Sequence, residues 1–248
     1  MTAALILAGA TNDGPFKEVS DASNEALIEI NGRPMIDYVV EAVAEVPNIK
    51  RVLIVGPKED LAEKYAEVEI IQNSGSILDN VEKGLNHLAD EEEILIATAD
   101  IPMITTEAIK DFISQCRQRE ADFYYPINSK EVSEAFYPGG KRTYIKMKEG
   151  VFTGGNVFLV KTKPARSSLP KAKQFIAMRK KPFQLAMILG LSFIFRFITK
   201  TLPIAAAEKR VSEILGMKGV AILSPYGEIG VDVDKREDMK AAEDLLLS

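Results

Sequence analysis

Three aspartates are the first candidates for chemistry in this chain. Asp100 follows the apolar run Ile94–Ala97 and precedes Pro102, just past the end of a predicted strand. A carboxylate there can hold a hard cation such as Mg²⁺ against phosphate oxygens, and it can equally cap a helix or bond its own backbone. Asp232 and Asp234 lie in a predicted extended segment, where we expect their side chains to diverge so that only one faces the cleft. Their other role is to place negative charge at the start of the next helix.

A second candidate for chemistry is the loop after the first predicted strand. The apolar run Ala4–Ala8 ends at Gly9, and a short polar loop follows that contains Gly14 and the cation Lys17. Backbone N–H groups in such a loop, at the carboxyl edge of a sheet, commonly bind phosphates. An ordinary tight turn is the other interpretation, and this stretch alone leaves both open.

Buried strands alternate with amphipathic helices over the first 120 residues, which predicts a parallel sheet with helices on both faces. Three loops should meet at the carboxyl edge of that sheet: Gly9–Lys17, Gln72–Ser76 and Thr98–Pro102. A long, mostly helical stretch is predicted over about 167–215. The predicted strands are 4–8, 26–30, 52–55, 68–71, 94–97, 121–126, 142–148 and 220–223, and the other predicted helices are 34–46, 58–65, 77–88, 105–119 and 237–247.

Composition limits the chemistry that this chain can carry out. Its 248 residues are 46% hydrophobic and 27% charged, as in ordinary globular proteins. The single cysteine, Cys116, excludes an intramolecular disulfide, and no signal peptide is visible, so we expect a cytoplasmic location. The single histidine, His87, argues against histidine-based triads and zinc sites.

One segment is strongly basic, although the whole chain has a net charge of −5. Lys161–Lys200 carries ten basic residues and no acid, and within it Phe183–Ile198 is strongly apolar. That run is shorter than the roughly 20 residues that span a bilayer. One interpretation is a helical insertion that packs on the sheet with its lysines in water. The other is a peripheral membrane contact through 171–200, which would suit a lipid-linked acceptor. Nucleic acid fits poorly, because the whole protein is acidic.

Five short motifs together support a family resemblance. They are Leu7-Ala8-Gly9, Asn31–Ile36, Ala99–Pro102, Phe152–Asn156 and Gly230–Asp238. On these motifs the chain resembles the nucleotidyltransferase superfamily, and within it the MobA-like NTP transferases. The resemblance covers nearly the whole chain. It implies an α/β, Rossmann-like fold of the GT-A type, a three-layer αβα sandwich with a mixed, mostly parallel sheet. We expect a single domain over 1–248 with a helical insertion at 161–215.

The resemblance also implies a reaction and a set of site residues. Such enzymes transfer a nucleoside monophosphate from an NTP to a phosphorylated small-molecule acceptor with Mg²⁺ and release pyrophosphate. Asp100 and Asp234 match the metal ligands, with Asp232 the alternative second ligand, and Lys17 and Asp100 are the catalytic candidates. The candidates for nucleotide binding are Leu7, Ala8, Gly9, Ala10, Thr11, Gln72, Ser74, Gly75, Ser76 and Asn80, and those for acceptor binding are Thr153, Gly154, Gly155 and Asn156.

Two positions depart from the family pattern. Ala10 stands where the family usually has a second glycine, and Glu25 stands where it usually has a lysine. Lys17 is then the only cation in the opening loop, and a glutamate would repel a triphosphate. One alternative is therefore a nucleotide-binding protein with an eroded catalytic site. Another is a GT-A-type glycosyltransferase that uses a nucleotide-sugar, although Asp100 lacks the expected Asp-x-Asp partner.

Overall fold

A computed structural model describes residues 2–62, 64–65, 68–178 and 187–247. Its strands are β1 Thr2–Leu7, β2 Glu29–Ile30, β3 Arg33–Pro34, β4 Ile49–Gly56, β5 Glu69–Gln72, β6 Glu93–Thr98, β7 Phe123–Ser129, β8 Ile145–Lys146, β9 Val151–Gly154, β10 Val157–Lys161 and β11 Gly219–Leu223. Its α-helices are α1 Met35–Ala44, α2 Lys58–Ala62, α3 Ile77–His87, α4 Thr106–Cys116, α5 Lys130–Phe136, α6 Thr162–Met178, α7 Leu191–Ile198, α8 Ile204–Leu215 and α9 Arg236–Leu245.

The main sheet has the order β5-β4-β1-β6-β10-β7-β9-β8, and β11 pairs with β7. Strand β1 lies between β4 and β6 and runs parallel to both. Strand β10 runs antiparallel to its neighbours β6 and β7. The sheet is therefore mixed, as predicted, and its β5-β4-β1-β6 half is parallel.

Burial on both faces of β1 explains the three layers. Ala4 and Ile6 point to one side, into a cluster with residues of α1 and α4 such as Val39 and Phe112. Leu5 and Leu7 point to the other side, into a second cluster with residues of α3 and α6. Successive strand residues alternate between faces, so a continuous apolar run needs cover on both sides.

Two predicted strands are shorter than expected. Over 26–30 only β2 is a strand, because the Asn24 side chain accepts a hydrogen bond from Ala26 N and turns 25–27 into a 3₁₀ helix. Over 142–148 only β8 pairs with β9. The side chain of Arg142 instead joins the cluster of aspartates described below.

The predicted helical stretch contains α6, α7 and α8, while residues 179–186, with part of the apolar run 183–198, lie outside the described residues. Lys173 of α6 forms ion pairs of 2.6 Å with Asp79 and Glu82 of α3. Some basic residues of this segment thus neutralise acids elsewhere on the chain. In the described part of the chain, no helix combines the length and hydropathy that crossing a bilayer requires.

Candidate active site

The structure brings the three predicted aspartates together. Oxygens of Asp100, Asp232 and Asp234, one from each carboxylate, lie within 4.8 Å of one another. The prediction that Asp232 and Asp234 diverge is wrong, because residues two apart in an extended segment lie on the same side. Val233 between them is buried on the other side, and its N–H donates to the carbonyl of Asp100 at 2.8 Å. This bond fixes the segment after β11 against the end of β6.

The cluster is electrostatically costly as it stands. Burial, together with repulsion from Asp232 and Asp234, raises the pKa of Asp100 to about 6. Burial, followed by repulsion from Asp232, also raises the pKa of Asp234. One buried oxygen of Asp100, Oδ1, has no hydrogen-bond partner among the described residues. Buried polar atoms without partners are rare in folded proteins, so this oxygen is a candidate ligand for a cation.

Arg142 is a site residue that the sequence analysis missed. Its guanidinium forms an ion pair with the Asp232 carboxylate and donates a hydrogen bond of 2.8 Å to the Asp232 carbonyl. Only 8% of its side chain is exposed. An arginine 90 residues before its partner, inside a predicted strand, gave no local signal of this role.

The opening loop is held by side-chain amides. Asn24 donates to the carbonyl of Ala8 at 3.0 Å, and Asn73 donates to the carbonyl of Gly9 at 3.2 Å. A Cβ atom on Gly9 would lie 2.5 Å from Nδ2 of Asn80, so any larger residue there would have to displace the Asn80 side chain. Of these amides the sequence analysis named only Asn80. Asn73 stands two residues after the predicted strand 68–71, a position that could have drawn attention to it, whereas Asn24 precedes a predicted strand and gave no such signal.

The predicted nucleotide-binding segments therefore lie side by side. Leu7 ends β1, with its carbonyl accepting from Ala99 N. Thr11 forms an isolated bridge with Asn24. Ala10 is exposed, and its φ lies outside the left-handed region, so its backbone is not strained.

The second loop predicted to bind the nucleotide is joined to the first through α3. Gln72 ends β5, and Gly75 makes the turn with a φ of +62°. Ser74 N donates to Oδ1 of Asn80 at 2.8 Å, and Ser76 caps α3. Because Asn80 also packs against Gly9, it connects the two loops.

Lys17 and Glu25, the two charged residues that the sequence singles out in the opening segment, differ in position. Lys17 lies in a 3₁₀ turn, Pro15–Glu18, and is exposed; its side chain has no hydrogen bond or ion pair with another described residue. Glu25 is half-buried. Burial, then repulsion from Asp234 and Asp13, raises the pKa of Glu25, so this glutamate lies on the side of the aspartate cluster.

The predicted acceptor residues lie at the end of β9 and in the turn that leads to β10. Asn156 N donates to the carbonyl of Ile229 at 2.9 Å, and its carbonyl accepts from Thr98 N at 3.3 Å. A Cβ atom on Gly155 would lie 2.8 Å from the Ile229 carbonyl oxygen. This turn therefore packs between the segments that carry Asp100 and Asp232.

Comparison with known proteins agrees with this arrangement. Residues 4–180 match the MobA-like NTP transferase domain. The chain belongs to this family. The solved structure of a hypothetical transferase from Thermus thermophilus is 35% identical, with a TM-score of 0.85, and the match covers 96% of this chain and all of that one. The GT-A-like, Rossmann-like fold expected from the sequence is thus confirmed.

Two curated relatives are nucleotidyltransferases. A 2-C-methyl-D-erythritol 4-phosphate cytidylyltransferase from Clostridium perfringens is 28% identical over 123 residues, which are 46% of this chain and 53% of the relative. A probable molybdenum cofactor guanylyltransferase from Natranaerobius thermophilus is 24% identical over 132 residues, 51% of this chain and 63% of the relative. The matches thus cover less than two thirds of either relative. The family is thus one of nucleotidyltransferases, and the base and the acceptor differ between these two relatives.

Proposed function

We propose that the protein transfers a nucleoside monophosphate from an NTP to a phosphorylated small-molecule acceptor and releases pyrophosphate. The observation that carries the proposal is the convergence of three carboxylates at the end of β6, next to the turn 154–156. The Gly9 loop lies at the end of β1, the strand beside β6. Carboxylates and a backbone loop at one sheet edge suit a ligand that joins a metal ion to phosphates.

The aspartates fit Mg²⁺ by the chemistry of their atoms. Mg²⁺ takes oxygen ligands, commonly from one or two carboxylates together with substrate phosphates. The unpartnered Oδ1 of Asp100 is such a ligand, and Asp234 supplies a second. Asp232 shares its charge with Arg142, so we assign it the supporting role. When bound, the ion would neutralise charge on the triphosphate.

The chain's own residues would bind and orient the reactants. The loop 8–11 and the turn 74–76 present backbone groups to the nucleotide, and Lys17 reaches the phosphates from solvent. An oxygen of the acceptor phosphate attacks the α-phosphorus, the bond from that phosphorus to the bridging oxygen breaks, and pyrophosphate leaves with the electron pair. The attacking oxygen is already ionised at neutral pH, so no general base is needed. Placement and charge neutralisation supply most of the catalysis.

Pyrophosphate release tests the proposal. The purified protein is assayed with ATP, CTP, GTP and UTP in turn, with Mg²⁺ or with a chelator, and with a set of phosphorylated alcohols and sugars as acceptors. We expect Mg²⁺-dependent release with one NTP and one class of acceptor. NTP binding by calorimetry without release from any pair would instead favour the eroded site, for which Glu25 is the argument. Turnover of a nucleotide-sugar without an NTP would favour the glycosyltransferase.

A further inference from the structure

An apolar pocket lies between the sheet and helices α7 and α8. Its volume is about 340 Å³, which falls within the range of small-molecule sites. The lining includes side chains from β7, β9 and both helices, among them Phe123, Tyr125, Phe152, Phe193, Phe197 and Val211. The pocket is therefore built between the core fold and the helical segment that follows it.

The pocket offers no free charge to a ligand. Glu208 is the charged residue among those that line it. Both of its carboxylate oxygens accept hydrogen bonds of 3.0 Å from Arg119, and one also accepts from Ala221 N at 2.9 Å. A neutralised carboxylate among aromatic and aliphatic side chains favours a ligand portion made of hydrocarbon.

The pocket reaches the proposed acceptor turn. Thr153 and Gly154 line it, and they are also acceptor-binding candidates. A Cβ atom on Gly230 would lie 3.4 Å from the carbonyl oxygen of Gly154, and Gly230 stands two residues before Asp232. One short turn thus borders the apolar pocket on one side and the aspartate cluster on the other.

Helix α7 extends the apolar surface outward. Phe193 and Phe197 face the pocket, whereas Leu191, Phe195 and Ile198 are 85%, 68% and 70% exposed. Arg196 and Lys200 lie on or beside this helix, in the segment that carries no acid. The pocket therefore continues into an exposed apolar surface on α7, which lengthens the room for a hydrocarbon chain.

We propose that this pocket holds the hydrocarbon chain of the phosphorylated acceptor, which is therefore an amphiphile such as an alkyl or isoprenyl phosphate. The inference rests on the proposed function. The phosphate lies near the turn 154–156 and the aspartates, and the chain runs past Thr153 into the pocket. This assignment explains why a nucleotidyltransferase fold keeps an apolar cavity next to its acceptor turn.

Calorimetric binding of two probes tests the inference without turnover. The probes are n-decyl phosphate, below its micelle concentration, and n-butyl phosphate, which has the same head group. Each methylene that enters the pocket should tighten binding roughly fourfold, so decyl phosphate should bind at least about 100-fold tighter. Ala207→Phe, which fills the pocket, should weaken decyl phosphate at least tenfold and leave butyl phosphate unchanged. Ala205→Phe adds the same ring at an exposed position of the same helix and should change neither.

Binding of each NTP with Mg²⁺ is measured on the same samples, so that the two proposals fail separately. Equal affinity for the two alkyl phosphates, in a protein that binds and turns over NTP, overturns the pocket assignment and leaves the function standing. Chain-dependent binding in a protein that neither binds nor turns over any NTP overturns both the function and the acceptor role. A dimer in sedimentation that Ala207→Phe dissociates, without alkyl binding, assigns the pocket to a second copy and also overturns the inference.

Discussion

The candidate active site has two sides, which differ in how they carry charge. We call the side with Asp100, Asp232 and Asp234 the aspartate wall, and the side with the loop after β1 the loop wall. The aspartate wall concentrates three carboxylates against one buried arginine, and its parts come from segments about 130 residues apart. The loop wall is held by neutral amides of Asn24, Asn73 and Asn80, and its cation, Lys17, is exposed and unpaired among the described residues. The aspartate wall thus carries concentrated negative charge, which our proposal assigns to a cation, whereas the loop wall is ordered by neutral hydrogen bonds. We therefore expect changes to the aspartates to cost more than changes to the loop.

Asp100→Asn should have the largest effect on activity. The change removes the negative charge of the carboxylate that we propose binds the metal, and it keeps the size of the side chain. Pyrophosphate release should therefore fall at least about 100-fold. Binding of Mn²⁺, used as a spectroscopic probe for Mg²⁺, should weaken in parallel in titrations followed by electron paramagnetic resonance. Asp90→Asn, an exposed aspartate on the sheet's other edge that pairs with Arg51, is the matched control. Unchanged Mn²⁺ affinity in Asp100→Asn would remove Asp100 from the metal site.

The same variant tests the electrostatic cost of the aspartate wall. Asp100 has a pKa of about 6 in the fold, against an ordinary value of 3.8. The folded state therefore binds this proton more tightly than the unfolded state, and metal-free stability should fall as the pH rises from about 4 to about 6. The loss from this group is at most about 3 kcal/mol. Chemical unfolding at each pH should show that loss in the parent protein and a flatter profile in Asp100→Asn, and Mg²⁺ should restore stability above pH 6.

Lys17→Ala should have the next largest effect, on the loop wall. Because Lys17 is exposed and unpaired, its loss should leave the melting temperature unchanged. If Lys17 holds the phosphates, pyrophosphate release should fall about 10- to 100-fold, since a charged hydrogen bond to phosphate is lost. Lys50→Ala removes an equally exposed lysine from β4 as the control. Full activity in Lys17→Ala would mean that the loop contributes shape alone.

Sequence patterns predicted the frame of this molecule well, because its strands and helices follow local periodicity. Strand β1 and helices α1, α3 and α4 lie within a few residues of their predicted bounds. The sites that local pattern missed depend on distant partners. Arg142 was predicted to lie in a strand, but it forms an ion pair with Asp232. Asn24 accepts a hydrogen bond from Ala26 N, and this bond turns the start of a predicted strand into a 3₁₀ helix.

The aspartate cluster was partly predictable for the same reason. Asp100 is predicted from its place after a strand and from the family resemblance, and Asp234 from the resemblance alone; the structure brings the two together. Asp232 was given only as an alternative to Asp234, because the two side chains were expected to point to opposite sides. Residues two apart in an extended chain in fact point to the same side. The apolar pocket could not be read from the sequence, because it forms where β7, β8, β9 and β11 meet α7 and α8.

Glu25→Gln should have a smaller effect, and in the opposite direction. Glu25 lies on the side of the aspartates, where burial and Asp234 raise its pKa, so it adds negative charge near the triphosphate. Removing that charge should tighten NTP binding several-fold in calorimetry, because less repulsion remains. Glu29→Gln removes an exposed carboxylate from the neighbouring strand β2 and should leave NTP affinity unchanged. Weaker NTP binding in Glu25→Gln would instead give this glutamate a positive part in the site.

Ala10→Gly should have the smallest effect, and it separates two explanations for the departure from the family pattern. If alanine strained the loop, glycine would relieve the strain and raise both stability and turnover. The φ of Ala10 lies outside the left-handed region, so there is no strain to relieve. Glycine should then only increase the conformational entropy of the unfolded chain. This lowers the free energy of unfolding by about 0.4–1 kcal/mol and leaves kcat unchanged. Denaturant unfolding together with pyrophosphate release measures both quantities, and a gain in either would show that the loop wall is limited by its backbone rather than by its charge.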